Sequence, residues 1–231
     1  MKAKGLIDDV LVSIEIRVPI SAGFGTSAAG TLASCLALSD AADLPVTLNE
    51  LGRITYVAEV VNKTGLGTAP ALLCGGFVLV TEPGAPGIGS VDRLRFPADH
   101  CVVCAYLGAI ETREALAKRA TNGKDVAAAR RVMSAIQASP TLTTFLTECR
   151  KFGAQAGFET PEITRLISTM EAAGAVGAAQ NMIGEAVHGV AATSEAPTIV
   201  KAVKRAFPAA IVFSSPIDNQ GVRILGAKAK H

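Results

Sequence analysis

The feature that most constrains this chain is a run of small residues, Ile20-Ser21-Ala22-Gly23-Phe24-Gly25-Thr26-Ser27, set between two differently patterned segments. Before it, Val10, Val12, Ile14, Ile16 and Val18 alternate with Leu11, Ser13, Glu15 and Arg17, the period of two expected of a half-buried strand, and Pro19 ends the alternation. After it, an alanine- and leucine-rich segment reaches Ser39 without a proline and has the composition of a helix. A glycine loop between strand and helix lets backbone N–H groups approach an anion, and the helix N-terminus adds roughly half a positive charge. Phosphate is the natural ligand. Ser27, in the first helical turn, can offer its hydroxyl to a phosphate oxygen or to the shell of a Mg²⁺ ion.

Two common phosphate loops are poor matches. A Walker loop needs Gly-Lys-Ser/Thr, and no lysine occurs between Lys4 and Lys63. The dinucleotide fingerprint fits in its relaxed form, Gly23-x-Gly25-x-x-Ala28, with Asp43 at the ribose position. That acid should close a second parallel strand, whereas the residues before Asp43 continue a helix into a turn at Pro45.

Composition narrows the partners. The 231 residues carry 22 Lys+Arg against 20 Asp+Glu, and only 4% are aromatic, so neither a basic stripe nor stacking platforms for nucleic acid are expected. Hydrophobic residues make up 49%, enough for a packed core, but the most apolar stretch, 172–192, is broken by Gln180, Asn181, Glu185 and His188, so no membrane span is expected. Five cysteines at irregular spacings suit reduced thiols in a cytoplasmic protein. Cys101-x-x-Cys104 reads as core packing on a strand, because residues three apart point to opposite faces.

Further along, Thr47-x-x-Glu50 has capping-box spacing and opens a second helix with Leu51, Ile54, Ala58 and Val61 on one face and Gly65 as its stop. Glu59 lies beside that face; a lone glutamate on a helix ordinarily meets solvent. A second glycine loop, Gly65-Leu66-Gly67-Thr68, precedes a hairpin over 77–81 and 91–96 and a strand over 101–107. Residues 111–206 read as mostly helical, which places His188 on a helix, and 209–214 and 222–225 read as two closing strands. The order is α+β. Thr112 and Arg113, at a helix start, could hold a substrate carboxylate. The small-residue patch from Gly174 to Gly184 fits close packing of helices or a further glycine motif.

Residues 19–29, Pro-x-x-x-Gly-x-Gly-x-Ser-Ala-Ala, resemble the ATP-phosphate motif of the GHMP small-molecule kinases. With Asn62-Lys63-Thr64-Gly65-Leu66-Gly67, Gly75-Gly76-Phe77 and Ser215-Pro216-Ile217-Asp218, the chain is most similar to the archaeal pantoate kinase branch of that superfamily. The resemblance implies a two-lobed α+β fold, with a ribosomal-S5-domain-2-like first lobe over 1–98 and a ferredoxin-like second lobe over 99–231. It implies MgATP-dependent phosphorylation of pantoate on the route to coenzyme A. By the same resemblance Gly23, Phe24, Gly25, Thr26, Ser27 and Ala28 would cradle ATP, and Ser27 and Glu59 would serve Mg²⁺. Thr68 stands where these kinases usually carry an aspartate, so proton abstraction there is not expected. The resemblance also implies a segment ahead of the first motif that the residues before Pro19 are too few to supply. The first lobe would then be incomplete and covered by a second copy or a separately encoded segment.

Overall fold

The computed structural model describes residues 10–65, 67–108, 123–157, 159–182 and 184–225. The alanine-rich segment forms α1 (Thr26–Ala41), and the Thr47 box opens α2 (Leu48–Asn62). Both bonds of the box are made: the Glu50 N–H donates to Thr47 Oγ1 at 3.2 Å, and the Thr47 N–H donates to Glu50 Oε2 at 2.7 Å. α2 stops at Lys63, which takes the left-handed conformation, two residues before the glycine expected to end it. α3 (Thr68–Cys74) leads into a hairpin of β1 (Phe77–Glu82) and β2 (Ser90–Leu94), close to the expected bounds. Then follow β3 (His100–Gly108), α4 (Gly123–Ala138), α5 (Leu142–Gln155), α6 (Pro161–Ala172), β4 (Gly177–Gln180), β5 (Glu185–Ala192), α7 (Ala196–Ala206) and β6 (Ile211–Pro216).

Strands β4, β5, β3 and β6 form, in that order, one antiparallel sheet. Its helix-facing side sets Cys101, Val103, Ala105, Val187 and Ala191 against Ile163, Leu166, Ile167 and Met170 of α6 and Ile199 and Val203 of α7. All of these side chains are buried, and this is the main core. A smaller cluster joins Leu79 and Leu94 of the hairpin to Ile136 of α4, with Phe77 edge-on to Phe145 of α5.

Several expectations fail for identifiable reasons. Residues 10–18 form no strand: alternation states what a strand would bury, but a ladder needs a neighbour, and none pairs with this segment among the described residues. Residues 177–192 form a hairpin, not a helix, so His188 lies on β5. These strands are mostly buried and built mainly of Gly, Ala and Val, so no alternation marks them and the alanines mimic a helix. α2 buries Leu51, Gly52, Thr55 and Glu59, whereas Ile54 and Val61 face outward. Residues 222–225 make no strand; the Val222 N–H donates to the Leu72 carbonyl at 2.9 Å instead. All five cysteines are free. Among the described residues no helix is long and apolar enough to cross a membrane.

Candidate active site

The first glycine loop turns through three left-handed residues, Ser21, Gly23 and Gly25, and Gly25 is the N-cap of α1. No side chain caps that end and no acid occupies its first turn, so the N–H groups of Thr26, Ser27 and Ala28 are left for an outside acceptor. Gly25 is required on two counts. Its φ of 67° disfavours any side chain, and a Cβ there would sit 2.5 Å from Cγ2 of Thr68. The start of α3 is thus packed directly on the first loop.

Glu59 is not a solvated helix residue. It is 5% exposed, and its Oε1 accepts hydrogen bonds from Ser27 Oγ at 2.6 Å and Thr64 Oγ1 at 2.7 Å. A Cβ on Gly65 would lie 2.1 Å from Oε2, so the second glycine loop is shaped around this carboxylate. No ion pair reaches Glu59 among the described residues. A buried carboxylate held only by hydroxyls favours an incoming cation. Carboxylate and hydroxyl oxygens suit Mg²⁺, which takes one or two protein ligands and fills its shell with water and phosphate oxygens.

These groups open onto a cleft of about 890 Å³ that also presents Phe24, Lys63, Thr68, Met182 and His188. Its floor is the side of the sheet opposite the main core, where Val102 and Cys104 of β3 lie beside His188 of β5. Burial raises the Cys104 thiol to about 12, so this cysteine stays protonated, and Cys101 packs in the main core on the opposite side. The reading of the pair as packing holds.

The turn between β4 and β5 supports the first loop from behind. A Cβ on Gly184 would fall 2.3 Å from the Ala22 carbonyl carbon and 2.8 Å from the Gly23 nitrogen. Asn181 Nδ2 donates to the Ala22 carbonyl oxygen at 3.3 Å, and Asn181 Oδ1 lies 2.7 Å from His188 Nδ1. The patch from Gly174 to Gly184 therefore combines close packing, Gly177 against Leu146 of α5, with loop support at its far end. Burial lowers His188 to about 4, leaving it neutral at pH 7.

The structure gathers Gly23, Phe24, Gly25, Thr26, Ser27, Glu59 and Thr68 around one cleft. Ala28 is buried just behind, on α1. Thr112 and Arg113 lie outside the described residues. Sequence reasoning missed Lys63, Asn181 and His188 as cleft residues. For the last two the only signal was polarity interrupting a small apolar run.

Residues 1–76 match the GHMP kinases N terminal domain. Over 168 residues the chain is 30% identical to a pantoate kinase of Thermococcus kodakarensis, covering 73% of this chain and 55% of that protein. A solved phosphotransferase related to the CoA biosynthesis pathway superposes with a TM-score of 0.72 at 25% identity, over 90% of this chain and 66% of that one. Homoserine kinase from Cytophaga hutchinsonii gives 0.67 at 19% identity, over 89% of this chain and 69% of its own. Residues 1–76 are thus similar to a GHMP kinase N-terminal domain, and the chain shares the α+β fold of the CoA-pathway phosphotransferase and the homoserine kinase. More particularly, it is similar to pantoate kinases, and it spans about half the length of the curated relative it matches.

Proposed function

We propose that this chain binds MgATP and transfers its terminal phosphoryl group to a hydroxyl of pantoate, giving 4-phosphopantoate. The observation that carries the reading is the pairing of Ser27 with Glu59 at 2.6 Å, beside the uncapped N-terminus of α1 in the same cleft. The amides of Thr26, Ser27 and Ala28 would receive phosphate oxygens, and Lys63 would add positive charge across the cleft. Mg²⁺, when bound by Ser27 and Glu59, would neutralise charge on the phosphates. The substrate is drawn from the pantoate kinase relative and the CoA-pathway phosphotransferase. In this reading 1–98 is the nucleotide lobe and 99–231 the second lobe.

Among the described cleft residues Glu59 is the sole carboxylate, and Thr68 cannot take a proton at neutral pH. Phosphoryl transfer depends chiefly on positioning and charge stabilisation, so this slows the reaction without abolishing it. Thr68 also favours a second reading, a non-catalytic relative that binds nucleotide. ADP release on adding pantoate to the chain with MgATP separates them. Pantoate-dependent release, abolished in Ser27→Ala, supports the kinase. MgATP binding without turnover, unrepaired by Thr68→Asp, supports the binding protein.

A further inference from the structure

Phosphate binding leaves His188, a polar group on the cleft floor, without a role. His188 is paired with Cys104 on one side and Ala179 on the other, in the middle of the sheet, and it lines the cleft. Its protonation pattern follows from its partners. The Ala22 carbonyl can only accept, so the Asn181 atom facing it at 3.3 Å is the amide nitrogen. That turns Asn181 Oδ1, also an obligate acceptor, toward His188 at 2.7 Å. Nδ1 must therefore carry the imidazole proton, and Nε2 is left as a lone pair. Nε2 has no protein partner among the described residues, yet it is not sealed away: among those residues the fully buried unpartnered side-chain atoms are Glu159 Oε1 and Gln180 Oε1. The neighbours on this floor, Val102, Cys104 and Met182, supply no competing charge.

We propose that Nε2 of His188 accepts a hydrogen bond from a hydroxyl of the acceptor substrate, making this floor a recognition site for small hydroxy compounds. The site rests on the kinase reading above and deepens it. A fixed lone pair attracts an O–H and repels a carboxylate or phosphate oxygen, so it also orients the substrate, keeping its acid group away from the sheet. The neutral ring set by burial keeps that polarity across the physiological range. The same Asn181 that fixes the ring holds the Ala22 carbonyl, so the substrate contact and the phosphate loop are registered to each other through one side chain. No proton leaves the substrate in this step; the hydrogen bond positions the oxygen for attack.

Two variants separate the ring's nitrogens. His188→Asn keeps a donor near the Nδ1 position and removes the acceptor at Nε2, whereas His188→Gln places an acceptor near Nε2. His188→Asn should raise KM for pantoate roughly ten-fold or more while leaving MgATP affinity within about two-fold, and His188→Gln should recover most of that loss. In the wild-type chain with MgADP, long-range ¹H–¹⁵N spectra should show a bare Nε2 whose resonance moves when pantoate is added. An unchanged KM in His188→Asn, an equal loss of pantoate and MgATP affinity, or an Nε2 resonance unmoved by pantoate in a chain that turns over would each overturn the proposal. An Nε2 that moves in a chain without turnover keeps the site and removes the transfer reaction; an Nε2 that stays still without turnover removes both. Should His188→Asn fail to fold, the wild-type spectra decide alone.

Discussion

His188 has an ordinary protonation midpoint near 6.5 when unfolded and about 4 in the fold. Between those values the unfolded chain takes up a proton that the folded chain refuses. The stability associated with the neutral ring is therefore complete above pH 6.5 and is lost as pH falls toward 4. Its ceiling is about 3 kcal/mol, lowered by the ring edge that opens to the cleft. Urea midpoints measured from pH 7 to 4.5 should fall more steeply for the wild type than for His188→Asn; parallel curves would contradict this. Glu59 makes a contrasting case. Its position on the second helix was legible from the spacing after Thr47, but its burial was not, because the hydroxyls of Ser27 and Thr64 that hold it come from other turns of the chain. Pattern within one helix cannot report partners supplied from 32 residues away.

At the scale of elements, local chemistry was the readable part. The capping box, the β1–β2 hairpin and the proline-free α1 are set by neighbours in sequence, and all three formed. Replacing Thr47 with Ala should cost about 1 kcal/mol, read from thermal unfolding, because the hydroxyl that accepts from the Glu50 N–H is lost. The β4–β5 hairpin was hidden, since a sheet interior of Gly and Ala leaves no period to read. Its turn yields a sharper prediction. Gly184→Val must push the turn off the Ala22 and Gly23 backbone, and MgATP affinity should drop roughly ten-fold, about 1.4 kcal/mol. Gly30→Ala is the control: nothing lies within 4 Å of its Cβ position, so affinity should hold and α1 should be slightly stabilised. Equal affinities in the two variants would contradict a supporting role for the turn.

For the whole molecule, the α+β class and the glycine loop that lines the cleft were legible, whereas the outer surface of the first half was not. Leu11 is 97% exposed and Val61 72%, with Val10, Val12, Ile14, Ile16, Ile54 and Val57 also exposed. So much exposed aliphatic surface favours association, and it is where a second copy or another polypeptide would be expected to pack. Light scattering should show concentration-dependent association that Val57→Lys with Val61→Lys reduces, at an unchanged unfolding midpoint. Association unaffected by these changes would move the contact elsewhere. The central claim is the proposal that Glu59 and Ser27, hydrogen-bonded to each other in the cleft, receive a metal-bound phosphate. Titration of ATP with Mg²⁺ and again with EDTA, into wild type and Glu59→Gln, tests it most directly. We expect Mg²⁺ to tighten ATP binding at least roughly ten-fold in the wild type and hardly at all in Glu59→Gln, with equal affinities in EDTA. The same Mg²⁺ enhancement in both proteins, or none in the wild type, would contradict the account.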